Sequence, residues 1–413
     1  MSYLLSIVVP TKDRYYYLKF LIELIKGFNS DDIELIIQDN TENNSEILDY
    51  INEIIYPHLK YFHTKEQISV SLNADKAILH STGKYACFIG DDDGVLPNII
   101  DCVKWMEENS IDALIPANIL YRWPNYIDFN GKTSPATLEF LNKKSISFSQ
   151  SAKLMDVKKI IKKNLKKGFI SRDHLPLVYH GIVERKKLDL IYKKGGTYFP
   201  GPSPDMANGV ALCFVIEKFV FLDYPVIISG GSETHGGGIR RLKDMVAKIE
   251  DVPFLPSDTE KNWERKIPKV WTNETIWPES AIKALRYMNM ENLINEINHN
   301  RILSEFIFKH PKYFKLALEV AESKLNLYIY LLFYFVKKSI VMIYKRFMYY
   351  LFKIPLGGVE IKGIQNINDA VSYLHKYYSS FNPFLCYSSN LYCKIKLLIN
   401  QKKSFKSNNR QQI

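Results

Sequence analysis

The chain is expected to form an α/β fold, a mostly parallel sheet flanked by helices, with a helical C-terminal extension. Three observations predict it. Apolar runs of strand length alternate with helix-period segments through the first third of the sequence. Polar residues recur at the ends of those runs, at Thr11, at Asp39-Asn40 and at Asp91–Asp93. From about Pro256 onward the pattern turns helical, with Trp263, Trp271 and Trp277 close together.

The elements follow in order. Leu4–Val9 reads as a strand that stops at Pro10-Thr11, and Tyr15–Lys26 as a helix. Ile33–Gln38 is the next strand and Ser45–Ile55 the next helix, followed by a short strand Leu59–His63 and a helix Val70–His80. Tyr85–Gly90 reads as a buried strand, Pro97–Asn109 as a helix and Ile111–Pro116 as a strand. Strands and helices alternating at this spacing imply parallel pairing, with ligands bound beyond the carboxyl ends of the strands. Further on, Lys158–Lys167 alternates charged and apolar pairs as a helix with one solvated face would. Leu175–Val183 reads as a strand, Met206–Glu217 as an apolar helix and Tyr224–Ser229 as a strand.

Leu325–Val336 is an apolar and aromatic run closed by Lys337-Lys338, and Ile340–Tyr344 is a second one closed by Lys345-Arg346. Each falls short of the ~20 residues a spanning helix needs. Tyrosine and phenylalanine interleaved with lysine and arginine suit a helix lying in a membrane interface, with a buried hairpin or an oligomer contact as the alternative. The polar tail Lys402–Ile413 is expected to be disordered. The division expected is 1–255 for substrate binding and chemistry, 256–320 as a helical extension, and 321–413 as the basic aromatic region with its tail.

A net charge of +11 asks for an anionic partner: nucleotide phosphates, anionic lipid or nucleic acid. No zinc-finger spacing and no aromatic RNA-binding strand pattern is present, which weighs against nucleic acid. Five scattered cysteines without a Cys-x-x-Cys pair fit a reducing compartment. The N-terminus lacks the basic region and cleavage site of a signal peptide, so a cytoplasmic location is expected.

The chemistry concentrates at Asp91–Asp93. Adjacent carboxylates repel unless a cation sits among them, and oxygen ligands of this kind suit Mg²⁺ or Mn²⁺ shared with a substrate's phosphates. The alternative is a solvated acidic turn capping the helix near Pro97. Thr11 and Asp39-Asn40 fall at the ends of neighbouring strands, so three polar signals converge on one crevice and favour the site.

Ser6–Arg14, Ile36–Thr41, Ser71–Ala77 with Thr82–Tyr85, and Asp91–Asp93, in that order and spacing, resemble the GT-A nucleotide-sugar glycosyltransferases of family 2. The likeness spans about residues 4 to 120 and continues more loosely to about 235. It implies a nucleotide-sugar donor bound by Pro10, Thr11, Arg14, Asp39, Asn73, Asp91 and Asp92. Asp39 would face a pyrimidine base, while Arg14 or Lys12 would bind phosphate or position the base. Asp91–Asp93 take the place of the family's Asp-x-Asp metal motif. Gly90 stands where an Asp-x-Asp-Asp quartet has its first acid, which leaves open whether Asp91 with Asp93 or Asp92 with its neighbours holds the metal; Asp93 or Asp92 is the favoured ligand, with Asp91 nearer the ribose. No Gln-x-x-Arg-Trp motif of processive members is present.

Inverting transfer needs a base for the acceptor hydroxyl. Asp205 is the candidate: it follows the loop Phe199–Pro204 and opens a helix where the family places its catalytic acid, and it is also a natural helix cap. Glu233 is a rival. His235, in a glycine-rich segment expected to be a flexible loop, is a candidate contact to diphosphate or metal, and His180 a candidate contact to the acceptor. The function implied is a metal-dependent hexosyltransferase acting on a glycan, expected to be lipid-linked, in bacterial surface polysaccharide synthesis such as capsule or O-antigen. The enzyme would sit peripherally at the inner face of the membrane, with a homo-oligomer compatible. A sugar nucleotidyltransferase would need a glycine-rich phosphate loop after its first strand, and Pro10–Arg14 has none. A non-catalytic scaffold is opposed by the intact Asp91–Asp93 and Asp205.

Overall fold

The computed structural model describes residues 3–124, 126–127, 133–140, 147–172, 174–233, 246–352 and 359–386. Its first half runs β1 (Leu5–Thr11), α1 (Tyr15–Lys26), β2 (Ile33–Asp39), α2 (Ser45–Glu53), β3 (Leu59–His63), α3 (Val70–Leu79), β4 (Tyr85–Phe88), β5 (Gly94–Val95), α4 (Ile99–Glu108), β6 (Ala113–Pro116) and β7 (Ile119–Arg122). Then come β8 (Tyr126–Ile127), β9 (Thr133–Ser134), β10 (Thr137–Phe140), β11 (Ser151–Met155), α5 (Val157–Lys167), β12 (Ile182–Glu184), α6 (Arg185–Gly195), α7 (Pro204–Leu212), β13 (Phe219–Leu222) and β14 (Ile227–Gly231). The remainder is α8 (Asn273–Tyr287), α9 (His299–Lys309), α10 (Phe314–Val320), α11 (Lys324–Phe352), β15 (Val359–Lys362), α12 (Ile367–His375) and β16 (Phe384–Cys386).

The main sheet has nine strands in the order β16-β11-β13-β6-β12-β4-β1-β2-β3. Its β4-β1-β2-β3 side is parallel, while β12 runs antiparallel to both β4 and β6, so the sheet is mixed. β1 is almost wholly apolar because it is buried on both faces. One core packs α1, α4 and α12 against one face, and the other packs α3, α5, α7 and α8 against the opposite face. In α1, Leu18, Leu21, Ile22 and Ile25 supply the buried stripe at helical spacing. In α5, Asp156 caps the N-terminus, Gly168 ends the helix at φ 69°, and Val157, Ile160, Ile161 and Leu165 face inward.

Several expectations change. Leu175–Val178 forms no strand: Pro176 lacks an N–H, the Val178 N–H goes to the Asn208 side chain, and Tyr179 makes a single bridge to Phe88. The strand expected from Tyr224 starts only at Ile227, past Pro225. The helix expected from Met206 to Glu217 starts at Pro204 and ends at Leu212. Gly230 and Gly231, in the glycine-rich segment expected as flexible loop, are part of β14 in a second, five-stranded sheet ordered β15-β10-β7-β14-β5. The apolar runs expected as separate short segments form one 29-residue helix, α11. No proline or glycine lies within it, and Lys337-Lys338 interrupts its hydropathy without breaking the helix. Lys324–Tyr344 is by length and composition sufficient to cross a membrane, with a mean hydropathy of 1.5. β15, α12 and β16, within the basic aromatic region, return to the two sheets and to α1. The tail Lys402–Ile413 lies outside the described residues.

Candidate active site

The parallel register sets Thr11 beside Asp39 at the carboxyl ends of β1 and β2, with β4 alongside and Asp91–Asp93 just beyond it. All three aspartates are buried. Arg14, in the turn between β1 and α1, bridges two of them: its Nε lies 2.6 Å from Asp91 Oδ1 and its guanidinium 2.7 Å from Asp92 Oδ2. Thr11 donates its hydroxyl to Asp91 Oδ2 at 2.6 Å. Ser232 donates to Asp92 Oδ2 at 2.6 Å and accepts from Arg14 at 2.9 Å. Burial raises the Asp91 carboxyl against the pull of Arg14, and Asp92 beside it adds to the rise.

Asp93 is held differently. Its Oδ1 accepts the Gly230 N–H and its Oδ2 the Gly90 N–H, each at 2.6 Å, and His180 Nε2 stands 2.6 Å from Oδ2. Gly230 is required by this approach, because a Cβ there would meet the Asp92 carbonyl oxygen at 1.9 Å. Trp123 Nε1 donates to that same carbonyl at 2.8 Å.

Asp39 accepts hydroxyls from Tyr15 and Tyr61, both at 2.7 Å, and the Thr41 N–H at 2.8 Å. Asn40 ties the β3–α3 connection by donating to the carbonyls of Thr64 and Glu66. Asn73, on α3, reaches the Thr11 carbonyl at 3.5 Å, and its buried Oδ1 has no partner among the described residues. Pro10 carries β1 into this corner.

Asp205 lies in the first turn of α7, one residue inside the helix start, with Ser203 at the cap position. It accepts from Ser203 Oγ at 2.6 Å and from the Met206 N–H at 2.8 Å, and pairs with Arg172 at 2.7 Å. Glu233 is exposed next to Ser232, and His235 lies outside the described residues. Tyr179 stacks on His180 with ring centroids 3.9 Å apart, and burial pushes its hydroxyl well above the usual range, with the charges of Asp93 and Asp92 adding to the rise. A cleft of about 1100 Å³ lies between the start of α3, the Thr197–Pro202 turn and α8, and contains none of Asp91–Asp93.

The residues can be tested for a divalent cation. Among the described residues no group of three or more His, Cys, Asp or Glu side chains forms a complete site. Asp91 and Asp92 nevertheless already enclose a cation, the Arg14 guanidinium, and a hard divalent ion needs only one or two carboxylates when substrate phosphates supply the rest. The pair therefore fits such an ion, while both oxygens of Asp93 are engaged by the backbone and His180.

Sequence reasoning missed Arg172 and Tyr179 as parts of this region, and took Gly230 and Ser232 only as members of a glycine-rich loop closing over donor or acceptor. The Gly230-Gly231 pair was the available signal, because glycine inside a strand marks close backbone approach.

An α/β crevice with acids beyond the parallel strand ends, and a further acid at a helix start, is suited to a phosphate-bearing ligand. Residues 6–162 match the model of glycosyl transferase family 2. No curated protein matches the chain. Among solved structures, S. aureus TarS aligns at 14% identity and a TM-score of 0.39, covering 78% of this chain and 44% of TarS. The chain thus spans less than half the length of that relative. S. aureus TarS 1-349 in complex with UDP-GlcNAc aligns at 14% identity and a TM-score of 0.39, covering 76% of this chain and 83% of that one. A mannosyltransferase from Pyrobaculum calidifontis in complex with GDP-Man and Mn²⁺ aligns at 11% identity and a TM-score of 0.36, covering 92% and 88%.

Proposed function

We propose that the protein is an inverting glycosyltransferase that moves one sugar from a pyrimidine-nucleotide donor to a glycan acceptor. The observation that carries this reading is the joint presence, in the segment that matches family 2, of Thr11, Arg14, Asp39 and Asp91–Asp93 at adjoining strand ends. Asp39, fixed by Tyr15 and Tyr61, accepts the N–H of the base. Thr11, Arg14 and Asn73 line the path of ribose and diphosphate. Asp91 and Asp92 would hold Mn²⁺ or Mg²⁺ together with the donor's phosphates, where the ion neutralises charge on the leaving diphosphate.

Asp205 takes the proton from the acceptor hydroxyl as that oxygen attacks the anomeric carbon. The new glycosidic bond forms while the sugar–phosphate bond breaks, and configuration inverts. Arg172 orients the Asp205 carboxylate. Residues 1–255 act as the catalytic part, 256–320 as a helical extension and 321–413 as the membrane-directed part.

The acceptor is a lipid-linked glycan at the inner face of the cell membrane, in surface polysaccharide synthesis. Support comes from α11, where Leu325, Leu332, Phe333 and Ile343 are each 65–70% exposed beside exposed Lys337 and Arg346. Vesicle flotation checks this: full-length protein that stays with the soluble fraction in the presence of anionic liposomes removes the membrane role.

The test of the reaction uses a panel of UDP-, dTDP- and GDP-sugars with and without EDTA, on wild type and Asp205→Asn. Transfer should fall by roughly 10²–10⁴-fold in the variant with donor affinity unchanged. Undiminished transfer rejects Asp205 as the base, and donor binding and hydrolysis that ignore EDTA reject the metal. A GDP preference rejects the role given to Asp39.

A further inference from the structure

A cavity of about 200 Å³ lies between Arg172, the loop His174–His180, the turn Pro116–Asn118 and the side chains of Phe219 and Phe221. At ~30 Å³ per water it has room for roughly six or seven waters, on the order of one sugar ring. Its polar side chains are distinctive. Arg172, His174 and His180 line it, Tyr179 forms part of its wall, and none of its described lining residues is acidic.

Each of these groups is held in place. Arg172 pairs with Asp205 and lies over the Trp277 ring at 5.6 Å. His180 pairs with Asp93 and stacks on Tyr179, with ring centroids 3.9 Å apart. His174 packs edge-on against Phe221 at 6.0 Å. Both histidines adopt left-handed backbone conformations, with φ of 54° at His174 and 57° at His180. Non-glycine residues are uncommon there, and such strain persists where surrounding structure over-determines it, often at ligand sites.

The cavity also joins the two halves of the chemistry. Arg172 touches the candidate base, His180 touches the last of the three aspartates, and Tyr179 stacks on His180.

We propose that this cavity is the acceptor subsite and that it takes a sugar bearing an anionic substituent, a carboxylate or a phosphate. This rests on the glycosyltransferase reading above and specifies its acceptor. Phe219 and Phe221 face the apolar side of the ring. The Tyr179 hydroxyl meets the sugar's hydroxyls, and Arg172 with His174 receives the charge. A planar guanidinium engaged at one edge by Asp205 keeps other N–H donors in its fork for an oxyanion. An acceptor anchored this way has its reacting hydroxyl next to Asp205.

The experiment measures binding of methyl glucuronide, glucose 6-phosphate and methyl glucoside to the full chain by saturation-transfer NMR and of inorganic phosphate by ³¹P line broadening, with UDP affinity measured in parallel by calorimetry. One or both anionic sugars should bind at least tenfold more tightly than methyl glucoside and remain bound when UDP is added. Whichever of the two binds identifies the source of the charge. His174→Gln, and independently Tyr179→Phe, should weaken that binding at least fivefold while UDP affinity stays within twofold. UDP binding without any preference for the anionic sugars overturns the subsite. Displacement of the anionic sugars or of inorganic phosphate by UDP also overturns it, because the anion would then occupy the donor crevice. Selective sugar binding by a chain that fails to bind UDP supports the pocket and instead overturns the donor reading.

Discussion

The crevice beyond β1, β2 and β4 and the helix α8 both bury carboxylates, yet they treat them in different ways. In the crevice, Asp91 and Asp92 share one guanidinium, and hydroxyls of Thr11 and Ser232 fill further positions. On α8, Glu274 meets two partners, the Lys309 ammonium at 2.6 Å and the His310 ring at 3.1 Å. Burial works against the Glu274 charge, but His310 and Lys309 outweigh it and hold the carboxyl down at about 2. Glu279, about one turn further on, is fully buried with Lys283 at 3.3 Å, and burial pushes it up to about 7. A buried carboxylate stays charged where its partners outweigh burial, and drifts toward the neutral form where they do not. Asp91 has a donor on each oxygen, yet burial and the neighbouring Asp92 push it up to about 7 against the pull of Arg14. Two carboxylates sharing one guanidinium leave room for further cationic charge, whereas Glu274 is a fixed structural pair.

The largest effect should come from removing the shared cation. Arg14→Met leaves Asp91 and Asp92 buried side by side, and loss of one partner from a buried ion pair typically costs about 3–5 kcal/mol. Urea unfolding at pH 7 reads it. Millimolar Mn²⁺ or Mg²⁺ should restore part of the loss, since a divalent ion replaces the missing charge. A cost under about 1 kcal/mol would show that Thr11, Ser232 and water already compensate, and the contrast with α8 would collapse.

Next comes Glu274→Gln, expected to cost about 2–3 kcal/mol at pH 7. The folded carboxyl titrates near 2 and the unfolded one near 4.5, so its stabilisation is complete above the unfolded value. It is lost as pH falls through about 2, and wild type and variant should converge there. A gap that persists unchanged at pH 2 would mean that packing, rather than charge, carries the pair.

The N-terminal sheet was legible because its strands are buried on both faces and therefore read as unbroken apolar runs, and the turns between them hold the polar residues that make the site. Thr11, Asp39 and Asp91–Asp93 could be placed in one crevice from that pattern alone, and Arg14 only through the family resemblance. What could not be read were contacts across long sequence separations. Ser232 reaches Asp92 over 140 residues and Gly230 reaches Asp93 over 137, through a second sheet whose strands are short and glycine-bearing. The loop carrying Arg172, Tyr179 and His180 looked like a strand because its hydrophobic content matches one. Its conformation is set instead by Pro176, by the Asn208 side chain and by the left-handed histidines. Continuity of α11 was hidden because hydropathy falls at Lys337-Lys338 while helix propensity does not.

The smallest effect, and the one of opposite sign, belongs to Glu279. Its folded carboxyl titrates near 7 against 4.5 unfolded, so the fold favours the protonated form. Whatever stability that form supplies is complete below about 4.5 and is lost as pH rises through about 7. Glutamine copies the protonated state: it keeps an oxygen for the Glu264 N–H that Glu279 now accepts at 3.0 Å, and it carries no charge to desolvate. Glu279→Gln should therefore match wild type at pH 4 and exceed it at pH 8, by about 1–2 kcal/mol after allowance for the lost attraction to Lys283. Paired thermal melts at the two pH values decide it. A variant less stable than wild type at pH 8 would mean that Lys283 holds Glu279 charged, as Lys309 and His310 hold Glu274. The two acids of α8 would then follow one plan, and only the crevice would remain distinct.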